Sequence, residues 1–100
     1  MNIDWKIDEF DKFTVLEFKI SGDGIISPED LNKISLPEGL KMSKGLILSG
    51  RGPVWLYVFL AHLAHPFAWV ATYDPHLDKA IIIERHTKNA PQIGELIKIK

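Results

Sequence analysis

The run Ser49-Gly50-Arg51-Gly52-Pro53 lies between two apolar stretches and is the first place where this sequence predicts chemistry. We expect a buried strand to end there, turn on two glycines and continue into a helix at Pro53, which suits the first helical position. Exposed amides and the positive end of the helix dipole favour an anion, and the Arg51 guanidinium can bind it bidentately. The plainer interpretation is an ordinary turn with a solvated arginine.

Three of the four histidines are candidates for a second polar cluster. His62 and His65 are three residues apart, a spacing that places them on one helical face, close enough to share a metal ion or a phosphate. His86 follows a predicted return strand. Because the chain has no cysteine, any transition metal must be held by histidine and carboxylate. The alternative to a shared site is that these histidines are ordinary surface residues that follow a buried helix.

The segment Asp74-Pro75-His76 combines a carboxylate, a rigid residue and a titrating side chain. An aspartate before proline commonly caps its own turn after a strand. On this pattern alone, Asp74 is more often a turn residue than a catalytic one.

The elements that must position these residues predict an α+β fold. Ile3 to Ile7 and Phe13 to Ile20 read as an antiparallel hairpin, and Ser27-Pro28-Glu29-Asp30 begins a short helix to about Ile34. Further strands are expected at 44–48, 69–73, 79–85 and 93–99, with a helix over 53–65. The result is one mixed sheet of about five or six strands with two helices, containing a right-handed βαβ crossover.

This topology predicts two polar clusters at opposite edges of the sheet. Parallel strands that end at Leu48 and Tyr73 place one cluster at their carboxyl edge, where open sheets usually bind ligands. The intervening helix runs back about 18 to 20 Å at its usual rise. The carboxyl-edge cluster comprises Ser49, Gly50, Arg51, Asp74 and His76, and the other comprises His62, His65 and His86.

Composition limits the remaining functions. One hundred residues with 46% hydrophobic and 25% charged side chains predict a single domain over residues 1–100. The net charge of −1 argues against broad electrostatic binding to DNA or long RNA. No signal peptide is recognisable, and the longest apolar run, Val54 to Ala64, has 11 residues and is too short to span a membrane. We therefore expect a cytoplasmic protein without a membrane partner.

The same apolar run predicts self-association. A helix that is apolar on nearly every side must be covered almost all round, and a chain this small has little else to cover it. A homodimer is the expected result.

Three segments between Lys44 and His86 together carry a family resemblance, in order and at near-constant spacing. They are Ser49-Gly50-Arg51-Gly52-Pro53-Val54-Trp55-Leu56, then Phe59-Leu60-Ala61-His62 with His65, then Val70-Ala71-Thr72-Tyr73-Asp74-Pro75 with His86. These segments resemble the small ring-nuclease family of type III CRISPR systems, whose members degrade the second messenger cyclic tetra-adenylate. The first forty residues and the tail agree with that family only in pattern.

The resemblance implies a manganese-dependent phosphodiesterase that opens the adenylate ring and so switches the defence off. By position, His65 and Asp74 match residues needed for cleavage, while Ser49 and Arg51 match residues that hold the substrate. The implied manganese ligands are His65, Asp74 and His86. The implied substrate-binding set also includes Gly50, Gly52, His62 and His76.

The turn after Asp74 departs from the family pattern. Where the family has Asp-Pro-Arg-Leu-Gly, this chain has Asp74-Pro75-His76-Leu77-Asp78-Lys79, which is one residue longer. A constant cation is replaced by a titrating one, so phosphate binding at His76 is expected to be weaker or more dependent on pH.

The two-edge geometry and the resemblance fit one assembly. A single subunit cannot bring His65 to Asp74, whereas subunits stacked head to tail can, with a cyclic ligand between the Arg51 face of one dimer and the His65 face of the next. Such stacking gives tetramers or open filaments. The nucleophile stays open between the 2′-hydroxyl and a metal-bound water. Two alternatives also stay open: an exonuclease that removes adenylates from short RNA, and a protein that binds the ring without cleaving it.

Overall fold

The computed structural model describes residues 3–99, which form one mixed six-stranded sheet and two helices. The strands are β1 Ile3–Glu9, β2 Phe13–Ile20, β3 Gly45–Gly50, β4 Trp69–Asp74, β5 Lys79–Arg85 and β6 Leu96–Ile97. A 3₁₀ helix, Pro28–Lys33, precedes β3, and α1, Val54–Leu63, connects β3 to β4. The predicted α+β class is confirmed.

The strands neighbour one another in chain order, from β1 to β6. The pairs β2/β3 and β3/β4 are parallel, and the pairs β1/β2, β4/β5 and β5/β6 are antiparallel. The predicted hairpin and the parallel pairing across the helix are therefore present. The right hand of the β3-α1-β4 crossover stays a prediction.

One face of the sheet packs against α1, and we call it the helix face. Leu46 and Leu48 of β3 are fully buried there in one cluster with Leu56 and Leu60 of α1. Since burial of one such side chain stabilises a fold by about 1.5 to 3 kcal/mol, this contact fixes the helix on the sheet. The alternation along β3 places Ile47 on the opposite side.

The opposite side, which we call the far face, is covered over only part of its area. Val15, Ile47 and Ala71 are buried in a second cluster with Ala90 of the C-terminal segment. The Arg85 guanidinium holds this segment in place by donating hydrogen bonds to the carbonyl oxygens of residues 88, 90 and 91. Ala90, Ile97 and Ile99 of the C-terminal segment thereby cover part of the far face, and β6 follows β5 as far as Ala80, which pairs with Tyr73.

The ends of several elements differ from their predicted positions. β3 continues to Gly50, so Ser49 is a strand residue. Pro53 is the N-cap of α1 and not its first helical residue, because its backbone is extended with ψ of 156°. The last strand, Leu96–Ile97, is shorter than the predicted 93–99. Each difference moves a boundary by a few residues and leaves the order of elements unchanged.

Helix α1 is not covered all round by its own chain. Leu56, Leu60 and Ala61 are buried, whereas Val54 and Val58 are 76% and 65% exposed. Within residues 3–99, no helix has both the length and the apolar content needed to cross a bilayer. The exposed valines leave an apolar strip for another molecule to cover.

An ion-pair clamp joins the β1–β2 hairpin to the segment before β3. The Glu9 carboxylate lies 2.8 Å from Lys44 Nζ and 2.9 Å from Lys41 Nζ. Hydrogen bonds from Lys44 and Lys41 lower the pKa of Glu9 to about 2. Lys44 also donates to the carbonyl oxygen of Phe10 at 2.6 Å. The clamp holds the start of β3 beside the hairpin.

Candidate functional site

The carboxyl ends of β3 and β4 lie side by side, and the anion turn follows the first of them. Gly50 ends β3 with φ of +143°, which only glycine adopts without strain. A Cβ atom there would overlap the backbone carbonyl oxygen of Phe18. A glycine is therefore required at this position for two independent reasons.

Tyr57 fixes the conformation of this turn. Its hydroxyl donates a 2.5 Å hydrogen bond to the Gly50 carbonyl oxygen, and its ring packs edge-to-face on Phe18 with the ring centroids 5.1 Å apart. Burial raises the pKa of Tyr57, so the phenol stays protonated and keeps donating at neutral pH. Because a peptide unit is planar and trans, fixing the Gly50 carbonyl also fixes the direction of the Arg51 amide.

The Arg51 side chain stands free at this edge. It is exposed, and within residues 3–99 it forms no salt bridge and donates no side-chain hydrogen bond. Arg51, Ser49 and Gly50 line a cavity of about 820 Å³, a size typical of sites for small organic ligands. An unpaired guanidinium beside such a cavity suits an anionic ligand.

Asp74 ends β4 at the same edge and caps its own turn. Its carboxylate accepts hydrogen bonds from the backbone amides of His76 at 2.8 Å and of Leu77 at 3.3 Å. The His76 side chain is exposed. Asp78, later in the same turn, takes a positive φ of 52° and accepts a 2.5 Å hydrogen bond from the Tyr73 hydroxyl. This hydrogen bond raises the pKa of Tyr73.

At the opposite edge, two of the predicted histidines meet a carboxylate that the sequence analysis did not identify. Glu84 Oε1 lies 2.8 Å from His86 Nε2 and 3.7 Å from His65 Nδ1. The rings of His65 and His86 have centroids 4.3 Å apart. One ligand atom from each of the three residues falls within 4.8 Å of the others. We call His65, Glu84 and His86 the histidine–carboxylate group.

A β-bulge explains why Glu84 was missed. Strict alternation from Ala80 and Ile82, both buried on the far face, would place Glu84 on the far face as well. The register shifts between Val70 and Ala71, so that Val70 pairs with Glu84 while Ala71 pairs with Ile82. This shift turns Glu84 to the helix face, beside His65. In the sequence, Glu84 follows three isoleucines and precedes Arg85, and this pattern does not predict a bulge.

His62 lies next to this group and is exposed in the last turn of α1. It lines a second cavity, of about 420 Å³, together with His65 and Glu84. His65 itself lies just beyond the end of α1, where its amide donates to the His62 carbonyl oxygen at 3.2 Å. Tyr57 lines both this cavity and the larger one.

Asp74 does not join the histidine–carboxylate group within one subunit. Val70, which pairs with Glu84, lies four residues before Asp74 along β4, a separation of roughly 13 Å in an extended strand. The set His65, Asp74 and His86, implied as manganese ligands, is therefore divided between the two edges, and Glu84 takes the third place beside the histidines. The two-edge argument anticipated this division.

The histidine–carboxylate group has the chemistry of a divalent-cation site. Two imidazoles and one carboxylate are a common donor set for divalent transition metals, and three protein ligands leave positions for substrate oxygens. The side chains of Glu84 and His86 are 29% and 28% exposed, and that of His65 is 71% exposed. A cation held there would be open to a ligand on another molecule.

Comparisons with known proteins give a family for this fold and site. A family model described as CRISPR-associated protein (Cas_csx3) matches residues 19–98. A protein of Aquifex aeolicus (strain VF5), described as an uncharacterized protein, is 38% identical over 98 residues, covering 94% of this chain and 86% of the relative. Both matches include the carboxyl edge of β3 and β4 and the histidine–carboxylate group.

Proposed function

This chain belongs to the Cas_csx3 family of CRISPR-associated proteins, and we propose that it acts there as a ring nuclease. The proposed reaction is the metal-dependent cleavage of a phosphodiester bond in cyclic tetra-adenylate, which removes the second messenger and switches off type III CRISPR defence. The proposed location is the cytoplasm, and the proposed active form is a homodimer that stacks on its substrate.

One observation carries the proposal: the meeting of His65, Glu84 and His86 at one edge while Arg51 and its cavity lie at the other. Hydrolysis of a phosphodiester needs charge stabilised at the phosphoryl oxygens and a cationic grip on the remaining phosphates. A divalent ion, which we propose is Mn²⁺, would supply the first at the histidine–carboxylate group. The Arg51 turn would supply the second.

The residues of the carboxyl edge would bind and orient the ring. The Arg51 guanidinium pairs with one phosphate, and the Ser49 hydroxyl and the amides of Gly50 and Gly52 offer further donors. The exposed His76 imidazole contributes to binding when protonated. His62, beside the second cavity, contacts the ring from the facing subunit.

The cleavage step would combine both edges across a boundary between stacked dimers. His65 and Asp74 are the proposed catalytic pair, with the Asp74 carboxylate of one subunit facing the histidine–carboxylate group of the next. Asp74 would then exchange the hydrogen bonds to its own turn for contacts with the facing edge. Head-to-tail stacking satisfies this requirement, because the carboxyl edge of one dimer is laid on the histidine edge of another.

Cleavage of radiolabelled cyclic tetra-adenylate tests this function. We expect the wild-type protein to yield linear adenylates with Mn²⁺ and nothing with excess chelator, and His65→Ala to be inactive under both conditions. Glu38→Gln, an exposed loop variant, is the matched control and should keep full activity. Binding without product would support a non-catalytic sensor, and faster degradation of linear oligoadenylate would support an exonuclease; either result overturns the proposal. A 2′,3′-cyclic phosphate end would assign the nucleophile to the 2′-hydroxyl.

A further inference from the structure

The larger cavity extends well beyond the anion turn, over far-face side chains near the carboxyl edge of the sheet, which we call the open half, and over Trp5 and Phe18 of the helix face. At about 820 Å³ it exceeds what a phosphate group requires and is large enough for a nucleoside. On the side away from the carboxyl edge, the next row of far-face side chains, Val15, Ile47 and Ala71, is buried. The side chains of the open half therefore decide which ligand the cavity accepts.

Strand registers arrange the open half as two rows of side chains across four strands. The first row contains Lys6, Glu17, Ser49 and Tyr73. Lys6 pairs with Glu17 and Glu17 with Ser49, and extending the β3/β4 register by one residue places Tyr73 beside Ser49. The second row, nearer the carboxyl edge, contains the pair Asp4/Lys19, with Arg51 and Pro75 just beyond the ends of β3 and β4. Every residue of both rows lines the cavity.

Tyr73 is the aromatic side chain of these rows; it is half-buried, packs against the far-face cluster and lines the cavity. Tyr73 pairs with Ala80 of β5, whose other partner is Ile97 of β6, and Ser49 follows Leu48, the partner of Thr72. The Tyr73 hydroxyl is held by Asp78 at 2.5 Å, so the ring is fixed in one orientation. A fixed aromatic ring that packs on the core and lines a cavity can serve as a stacking platform for a planar base.

The charges around this ring suit a nucleotide. Three cations, Lys6, Lys19 and Arg51, and two acids share the cavity, and none of the three cations forms a salt bridge within residues 3–99. Ser49, on the strand beside Tyr73, and Glu17, one strand further along the row, offer a donor and an acceptor to the edge of a base. An aromatic platform beside an unpaired guanidinium is the combination that binds a base and its phosphate together.

We infer that the open far face is a nucleobase subsite, in which a base of the substrate stacks on Tyr73 while the attached phosphate pairs with Arg51. The bases of the ring then lie over the sheet, outside the histidine–carboxylate group. This inference rests on the proposed function for the identity of the ring but not for the presence of a base subsite.

Adenosine 5′-monophosphate and ribose 5-phosphate, which differ only by the base, separate the base contact from the phosphate contact. Each is titrated into the full protein without metal, and binding is followed by NMR shifts of the described backbone amides. We expect the nucleotide to bind about 5- to 150-fold more tightly than the sugar phosphate, the range that corresponds to about 1 to 3 kcal/mol for the stacking of one base. Shifts should centre on Ser49, Tyr73 and Lys19.

Two variants at Tyr73 complete the test. Tyr73→Ala should bring the two affinities within about twofold of each other, whereas Tyr73→Phe, which keeps the ring, should preserve the preference. Arg51→Ala should weaken both ligands by the same factor. Equal binding of the two ligands to wild type, or a preference that survives in a folded Tyr73→Ala protein, overturns the base subsite. Cleavage of cyclic tetra-adenylate is scored separately, so that failure of the ring-nuclease function and failure of the subsite are distinguishable.

Discussion

Asp74 and Glu84 are both carboxylates two residues before a histidine, yet they occupy different chemical environments. The Asp74 oxygen is engaged by amides of its own turn. The Glu84 oxygen contacts two imidazoles. Because a metal ligand must converge with others on one point, Glu84 can join the two histidines within one subunit, whereas Asp74 cannot.

The first prediction concerns metal binding by the unstacked protein. Glu84→Gln should weaken Mn²⁺ binding by about 10- to 100-fold, because it removes the anionic oxygen between the two histidines. Asp74→Asn should leave this affinity unchanged. The Mn²⁺ affinities of both variants are measured from the EPR signal of free Mn²⁺, in dilute protein without substrate. A loss with Asp74→Asn that equals the loss with Glu84→Gln would contradict the division between the edges.

The second prediction concerns the anion turn. Arg51→Ala should weaken binding of the cyclic substrate by about 1.5 to 3 kcal/mol, the usual scale for a charge-assisted hydrogen bond. Arg51→Lys should recover only part of this loss, because an ammonium cannot bind phosphate bidentately. Calorimetry on a His65→Ala background measures binding, and saturating turnover is measured in parallel. Unchanged binding with a collapsed maximum rate would assign Arg51 to the transition state instead.

At the scale of elements, alternation and turn residues predicted most of the sheet. Phe13 to Ile20 forms β2 with the predicted bounds and alternates between faces from Leu16 onwards. The proline and glycines after β3 placed α1 correctly within a few residues. The bulge at Val70/Ala71 was not predictable, because it depends on pairing between strands and not on either strand alone. The Tyr57 contact with Gly50 was missed for the same reason, since it forms only when α1 folds back onto β3.

The third prediction tests the junction between β3 and α1. Gly50→Ala should destabilise the fold by at least about 3 kcal/mol, since it adds backbone strain and an overlap with Phe18. Gly22→Ala is the matched control: Gly22 has φ of +71° but no atom within 4 Å of an added Cβ. It should cost only about 1 to 2 kcal/mol from strain. Urea unfolding measures both, and equal losses would show that the contact with Phe18 is unimportant.

For the whole molecule, topology alone predicted that the Arg51 cluster and the histidine cluster lie apart. Two parallel strands joined by a helix have their carboxyl ends at one edge of the sheet, whereas the helix between them ends at the opposite edge. The sequence also predicted a helix with more apolar side chains than the core of one subunit can bury. Val54 and Val58 are indeed exposed in the subunit. An exposed apolar strip does not by itself select one dimer geometry, because several arrangements of two copies would cover it. The assembly therefore has to be tested directly.

The fourth prediction concerns the dimer. Val58→Asp should convert the protein to a monomer at micromolar concentration, because it places a charge on the apolar strip of α1. Ile25→Asp, at a residue that is 68% exposed but far from α1 in sequence, should leave the dimer intact. Sedimentation velocity distinguishes the species. A wild-type protein that is monomeric at the same concentration would remove the basis for covering α1 with a second copy.

The most direct test of a site shared between stacked dimers is complementation between inactive variants. His65→Ala and Asp74→Ala should each fail to cleave cyclic tetra-adenylate alone, because every stack of either variant lacks one of the two residues. Mixed in equal amounts, they should recover a measurable fraction of wild-type turnover, since the Asp74 edge of one variant then faces the His65 edge of the other. Turnover of the mixture that stays at the level of the separate variants would contradict the shared site.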